Sequence, residues 1–238
     1  MKQLVVAALP RVNDLIAIGG EPAHYLARVR RVGVGDRLAV TSSDGTRGEV
    51  ELVAVTPQQI DARIVWIREP SHVDALRLVH CLLKQRKTDG VVRQATELGA
   101  THIAIAVSER SVSRPTASEL AKKRRRWEQI AIEASQQSGR PGVPQLQVFE
   151  SLSGALVPSG EARKLVFHQD AAQELGSVRL APPGAAQVLV GPEGGLSAAE
   201  VAAATSAGWE AVRLPGSVLR AETAAIVALA LVKYGRTQ

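Results

Sequence analysis

Aromatic side chains are scarce in this 238-residue chain, where Phe, Trp and Tyr together make up 3 % of residues. A ligand site in such a chain must rest on backbone and aliphatic contacts rather than on stacked rings. There is one cysteine, Cys81, within the apolar stretch LRLVHCLLK. An internal disulfide is therefore excluded, and the thiol reads as a small buried hydrophobe in a reducing compartment. The five histidines (His24, His72, His80, His102 and His168) show no HxxxH spacing, so neither a zinc site nor any other metal is expected. Long apolar runs are missing as well. LVVAALP at the start is too short for a signal-peptide core, and residues 224–232 fall well short of a bilayer span. A soluble, cytoplasmic protein with no membrane association is the expectation.

What is present suits a globular chain. Apolar residues make up 45 %, enough for a full core, and the length suits one large domain or two smaller ones. Lys and Arg outnumber Asp and Glu 29 to 23, for a net charge of +6. That excess favours a polyanionic partner such as nucleic acid without requiring one. Residues 1–70 carry short β-rich runs broken by Gly-Asp, Ser-Ser-Asp-Gly and Pro-Gln-Gln. Ile60, Ala62, Ile64 and Trp66 alternate as one face of a strand. EPAHYLARVRR predicts a short helix with Pro22 in its first turn. This part reads as a small β-barrel or compact sheet, with EPSHVD (69–74) as its exit linker.

From Ala75 to the end, strands alternate with helices. LRLVHCLLK reads as a buried strand, KTDGVVRQATELGA as a helix stopped by Gly99, and THIAIAVSER as the next strand. Pro115 is expected to open a long helix with the core stripe Leu120, Trp127, Ile130, Ala131 and Ala134, ended by Gly139. Further strands are expected at PQLQVFE, KLVFH, AQVLVG and AVRLP, and helices after GGL and LRAE. The alternation predicts an α/β domain, a parallel sheet covered by helices.

In open α/β sheets ligands bind beyond the carboxyl ends of strands, and two loops occupy such positions. The first lies in VLVGPEGGLSAAEV, residues 188–201. Its Gly191, Gly194 and Gly195 remove side chains where the strand ends, and Pro192 fixes a turn between them. Ser197 and Glu200 then have capping-box spacing. The phosphate fingerprints GxGxxG and GxxxxGK(S/T) are absent, and Glu193 is a poor neighbour for a phosphate, so the expected ligand is not a polyphosphate. The second loop is LPGSVLRAETA, residues 214–224. Arg220, Glu222 and Thr223 cluster there at a helix start, where Glu222 suits the dipole as a cap and Arg220 needs an anionic partner. KKRRR (122–126) is spread around a helix by its periodicity, which leaves a solvated basic face and an RNA groove equally open. SQQSGR (135–140) places Gln136, Gln137 and Arg140 at a helix end, where they can meet a base or a phosphate.

Taken together, VGPEGGLSAAEV and LPGSVLRAETAAIVALALV resemble the signature of the RsmE family. RQATELGATHI, SERSVSR and RWEQIAIEASQQSGRPGVP stand in that family's order, and the β-rich start is similar to its PUA-like RNA-binding barrel. The resemblance covers nearly the whole chain. It implies a SPOUT-class methyltransferase that methylates uridine N3 in the 16S rRNA of the small ribosomal subunit. It also implies two domains, a PUA-like barrel over 1–70 and a trefoil-knotted parallel-sheet domain over 75–238, in a homodimer. On the same resemblance S-adenosylmethionine lies on Gly191, Pro192, Glu193, Gly194, Gly195, Leu214, Gly216, Val218, Leu219 and Thr223, with His168 of LVFHQD on a third wall. The chain departs from the family pattern at Pro215, where glycine is usual, at Gln94 and Gln136, and in its short basic start Met1–Lys2–Gln3.

The implied reaction removes the imide proton of uracil and spreads the resulting charge over O2 and O4, so orientation and electrostatics should carry most of the catalysis. Arg220 is the first catalytic candidate and Arg140 the second. Glu222 is open to two readings, base or helix cap. Two rivals stand beside this one: an RNA-binding or ribosome-assembly protein without activity, and an adenine-nucleotide enzyme, which the absent phosphate lysine motif disfavours.

Overall fold

A computed structural model describes residues 3–69, 75–156, 162–177 and 184–235. All but the first residue of the expected linker 69–74, and the start Met1–Lys2, lie outside the described residues. The chain divides into two compact units, Met1–Val73 with Ile132–Val143, and Asp74–Ala131 with Pro144–Gln238.

In the first unit, β1 (Leu4–Val6) and β2 (Leu15–Gly19) precede α1 (Gly20–His24), which continues as a π-helical turn over Tyr25–Val29. Pro22 stands in the first turn of α1, where a missing N–H costs nothing. β3 (Arg37–Ser42), β4 (Arg47–Val55) and β5 (Gln59–Arg68) complete a sheet of order β1-β3-β4-β5-β2. β1 pairs with β3 in parallel and the other pairs are antiparallel. Ile60, Ala62 and Ile64 are fully buried with Val50, Leu52 and Leu26. Trp66 departs from the expected alternation. Val50 opposes Ile64 while Glu49 opposes Trp66, so Val65 is an extra residue and the bulge turns Trp66 onto the outer face.

The second unit holds β6 (Leu76–Cys81), α2 (Lys87–Glu97), β7 (His102–Ala106) and the first part of α3 (Ala117–Ser138). It continues through β8 (Gln145–Phe149), α4 (Leu152–Ala155), β9 (Arg163–Phe167), β10 (Gln173–Glu174), β11 (Ala186–Val190), α5 (Ala198–Ser206), β12 (Glu210–Arg213) and α6 (Ala221–Tyr234). Its strands form one parallel sheet of order β10-β12-β9-β11-β6-β7-β8. Residues of alternate parity point to opposite faces. Val79, Cys81, Ala104, Ala106, Val166 and Leu189 pack with Leu152, Ala155 and Trp209 on the α4–α5 side. α6 packs over β6 and β11 on the other side, beside α2. This is the helix-covered parallel sheet that the alternation predicts.

Local chemistry sets the helix ends. Gly99 takes φ +92 and its N–H donates to Thr96 O, while Ala100 N donates to Ala95 O. That is a Schellman closure, which needs a residue free to adopt positive φ. Pro115 lies outside α3 rather than opening it. Thr116 is the cap, its Oγ1 accepting from Glu119 N while Glu119 Oε2 accepts from Thr116 N at 2.8 Å. The expected stripe Leu120, Trp127, Ile130, Ala131 and Ala134 is buried throughout.

Candidate functional site

A cleft of about 700 Å³ opens in the second unit at the carboxyl ends of β9, β11 and β12. This is the size of a small-molecule site. Three loops wall it. The 191–196 loop supplies Gly191, Pro192, Glu193, Gly194 and Gly195, and the 214–220 loop supplies Leu214, Gly216, Val218, Leu219 and Arg220. His168, at the end of β9, lines the third side with Gln169 and Asp170. The residues singled out in the two motifs are therefore brought together, with two exceptions. Glu222 and Thr223 sit in the first turn of α6 without lining the cleft. Arg140 follows α3 in the first unit and is not part of the cleft wall. Pro215, the departure from the family pattern, is exposed and also outside the wall.

The glycines divide into two kinds. A Cβ at Gly191 would stand 3.0 Å from Leu196 N, and one at Gly194 would stand 3.2 Å from Arg110 Cβ, so these two allow the chain to pass its own atoms. Gly195 (φ +70) and Gly216 (φ +85) have nothing within 4 Å of a Cβ, so they keep the cleft open and hold backbone that L side chains rarely adopt. The loop then closes into α5 through the expected capping box. Ser197 Oγ accepts from Glu200 N at 3.2 Å, and Glu200 Oε2 accepts from Ser197 N at 2.9 Å. Glu200 Oε1 also accepts from Glu109 N at 2.8 Å, and Arg110 Nη1 donates to Gly194 O at 3.2 Å. The SERSVSR segment thus clamps the glycine loop from outside. Arg114 supports that clamp by donating to Ser108 O at 2.7 Å.

Charge beside the cleft is organised by a residue that lies outside both motifs. Lys87, the first residue of α2, lies 3.0 Å from Glu222 Oε1 and 3.7 Å from Glu193 Oε1, linking the two motif loops. Lys84 N also donates to Glu193 Oε1 at 3.3 Å. Burial is the largest influence on Glu222 and pushes its carboxyl up. The backbone N–H of Glu222 itself, Lys87 and Arg220 outweigh burial, and the net direction is below the ordinary carboxylate range. Arg220 caps α6 at an extended φ of −62 and ψ of 148, with no side-chain bond to the helix end. Arg220 lines the cleft together with Lys84, Lys87, Arg110 and Arg213. His168 Nδ1 accepts from Asp170 N at 3.3 Å, which fixes the turn after β9. Beneath the cleft, His80 of β6 is fully buried and its Nδ1 lies 2.6 Å from Cys81 O. Burial pushes its pKa down, so it is a neutral ring there.

The basic helix is only partly available. Arg126 donates twice to Asp89 Oδ2, at 3.0 and 2.7 Å, and Trp127 Nε1 donates to Asp89 Oδ1 at 2.9 Å, tying α3 to α2. Arg124 pairs with Glu128. Among the described residues, Lys122, Lys123 and Arg125 of KKRRR have no carboxylate within 4 Å.

Known proteins share this arrangement. The family profile described as an RNA methyltransferase domain matches residues 69–233, and that of an RNA methyltransferase PUA domain matches residues 18–65. The ribosomal RNA small subunit methyltransferase E of Bacillus subtilis is 30 % identical over 228 residues, covering 92 % of this chain and 89 % of its own. The Aquifex aeolicus protein of the same name is 32 % identical over 223 residues, covering 91 % and 92 %. A crystal structure of a ribosomal RNA small subunit methyltransferase E from Neisseria gonorrhoeae, bound to S-adenosyl methionine, superimposes with a TM-score of 0.87 at 27 % identity, over 98 % of this chain and 97 % of that one. With a glycine-walled cleft at the strand ends, a PUA domain ahead of it and relatives matched along nearly their full length, this chain belongs to the ribosomal RNA small subunit methyltransferase E family, a family of RNA methyltransferases.

Proposed function

We propose that this protein uses S-adenosylmethionine to methylate N3 of a uridine in the 16S rRNA of the small ribosomal subunit, and that it works in the cytoplasm as a homodimer. The observation that carries the reading is the paired open glycines. Gly195 and Gly216 hold positive φ on two different loops, and nothing fills the space a Cβ would occupy at either. The glycine loop carries no phosphate-loop lysine, and the wall beside it offers Leu214, Val218 and Leu219, which fits a nucleoside approached by backbone. Bound there, S-adenosylmethionine supplies an electrophilic methyl group on a sulfonium centre.

The chain's own residues do the rest. Arg220 stabilises the uracil anion as charge develops on O2 and O4, because it lines the cleft and its side chain makes no capping bond to α6. The cleft wall leaves Arg140 out, so the catalytic proposal rests on Arg220. Glu222, held as a carboxylate by Lys87, is a weakened base and acts as a brace between the loops. Two further points support the assembly. After β9, strand β11 enters between β9 and β6 and β12 enters between β9 and β10, an order that suits a knotted path. α6 also exposes Leu231 (41 %) and Tyr234 (55 %), apolar surface suited to pairing with a second copy.

Calorimetric titration tests the reading. The wild type should bind S-adenosylmethionine and not ATP. Gly195→Ala should weaken binding by about tenfold or more by placing a methyl in the site. Gly208→Ala, which carries the same left-handed strain (φ +83) away from the cleft, should bind as the wild type does. Equal binding by both variants overturns the assignment. Nucleoside analysis of methylated small-subunit RNA then reports whether N3 of uridine is the modified position.

A further inference from the structure

Trp66 is the tryptophan that the core does not use. Trp127 and Trp209 are each 2 % exposed, whereas Trp66 is 44 % exposed on the outer face of the first unit's sheet. Its outward position is built in. The bulge at Val65 reverses the parity of β5 at that point. Gly48, on the neighbouring strand, admits the displaced backbone, since a Cβ there would stand 2.6 Å from Trp66 O. Bulges that re-aim a side chain are found beside functional surfaces.

The same patch carries unbalanced charge. Arg47 and Arg68 are exposed and lie directly opposite each other across β4 and β5. Like charges in that position are destabilising unless an anion joins them. The two carboxylates of β4 are engaged elsewhere: Arg37 lies 3.2 Å from Glu49 and 3.8 Å from Glu51. Trp66 and Arg68, two residues apart beyond the bulge, share the outer face with Arg47.

We infer that Trp66, Arg47 and Arg68 form a platform for single-stranded RNA, on which an unpaired base stacks on the indole while the arginine pair takes an adjoining phosphate. Positive charge beside an exposed aromatic face is the chemistry that binds unpaired strands, because every base has a π-face and every nucleotide a phosphate. The inference rests on the RNA-methyltransferase reading, but the platform lies on the first unit, and neither the cleft nor the reaction requires it.

The test uses the full-length protein, short single-stranded oligoribonucleotides and the matching duplexes. Because the other two tryptophans are buried, quenching of accessible tryptophan emission reports Trp66. Titration with the single strand should quench that emission and the duplex should not. Trp66→Ala should weaken single-strand binding about five- to hundredfold, and Trp66→Phe should retain most of it. The double variant Arg47→Gln with Arg68→Gln should bind more weakly and with a shallower salt dependence. Single-strand binding by Trp66→Ala at wild-type strength overturns the platform while leaving the methyltransferase reading intact. A wild type that neither binds RNA nor methylates the small subunit overturns both. A change confined to self-association in Trp66→Ala assigns the face to protein contact and also overturns the platform.

Discussion

Replacing Lys87 with methionine isolates the one charge that links the two motif loops. Its ammonium lies 3.0 Å from Glu222 and 3.7 Å from Glu193, with side-chain exposures of 26 %, 25 % and 21 %. At an effective dielectric near 20 the two attractions amount to about 5.5 and 4.5 kcal/mol before desolvation. Desolvation and side-chain ordering offset most of that. Exposed pairs net about 0.2–1 kcal/mol, and breaking a fully buried pair costs about 3–5 kcal/mol. Three partly buried groups fall between, so Lys87→Met should lose about 2 kcal/mol and lower Tm by roughly 4–8 °C. Methionine keeps the helix propensity and the length of the side chain, so the loss reports charge. Without the lysine, Glu193 and Glu222 repel each other and push the two loops apart, and S-adenosylmethionine affinity should fall along with Tm. The acid limb should move too. Glu222 has a folded pKa below its unfolded value, so its stabilisation is present above the ordinary carboxylate range and is lost as pH falls through the lowered value. Lys87→Met raises that folded value, and acid unfolding should begin at higher pH. Calorimetric scans at pH 7 and through the acid range measure both effects. An unchanged Tm together with unchanged cofactor affinity refutes the claim that Lys87 joins the loops.

Arg220→Gln removes the cleft-lining cation of the second motif loop without altering the cap geometry of α6. Methyl transfer should fall about 100- to 1000-fold while S-adenosylmethionine affinity changes little, a split read by single-turnover kinetics beside calorimetry. Burial pushes the Cys81 thiol up to about 12, so it should resist thiol reagents in the native state and react only on unfolding. Because that pKa is raised, the stability Cys81 contributes is present below about pH 9 and is lost as pH rises toward 12. Denaturant midpoints should fall between pH 8 and pH 10.5, and less so in Cys81→Ala. Asp89→Ala leaves the buried Trp127 N–H without its acceptor and should cost about 1–3 kcal/mol, read as a lower denaturation midpoint.

What the sequence discloses follows the range of the interaction involved. The capping box of Ser197 and Glu200 and the left-handed stop at Gly99 are decided within one helical turn, and both stand where the residue pattern puts them. The order of strands and helices follows from hydrophobic period, which is also local. Trp66 fails that same test because its facing depends on a bulge, and the bulge depends on Gly48 of another strand, which one strand's alternation does not encode. The glycines show the same limit inside the motif. All three of the first loop look alike in sequence, yet Gly191 and Gly194 are small to clear Leu196 and Arg110, and only Gly195 looks onto open cleft.

Lys87 is the strongest case, because nothing near it in the chain asks for a cation at a helix start, where the dipole opposes one. Its reason lies in two carboxylates brought to it by the return of β11 and α6 to β6 and α2. A signal did exist in sequence: Glu193 stands in GPEGG, a loop with no cation of its own, and a carboxylate so placed calls for a cation from elsewhere in the chain. The motif carboxylates are therefore engaged by Lys87 in the scaffold that joins the two loops, which leaves Arg220 as the motif cation on the cleft wall and the residue proposed for the chemistry.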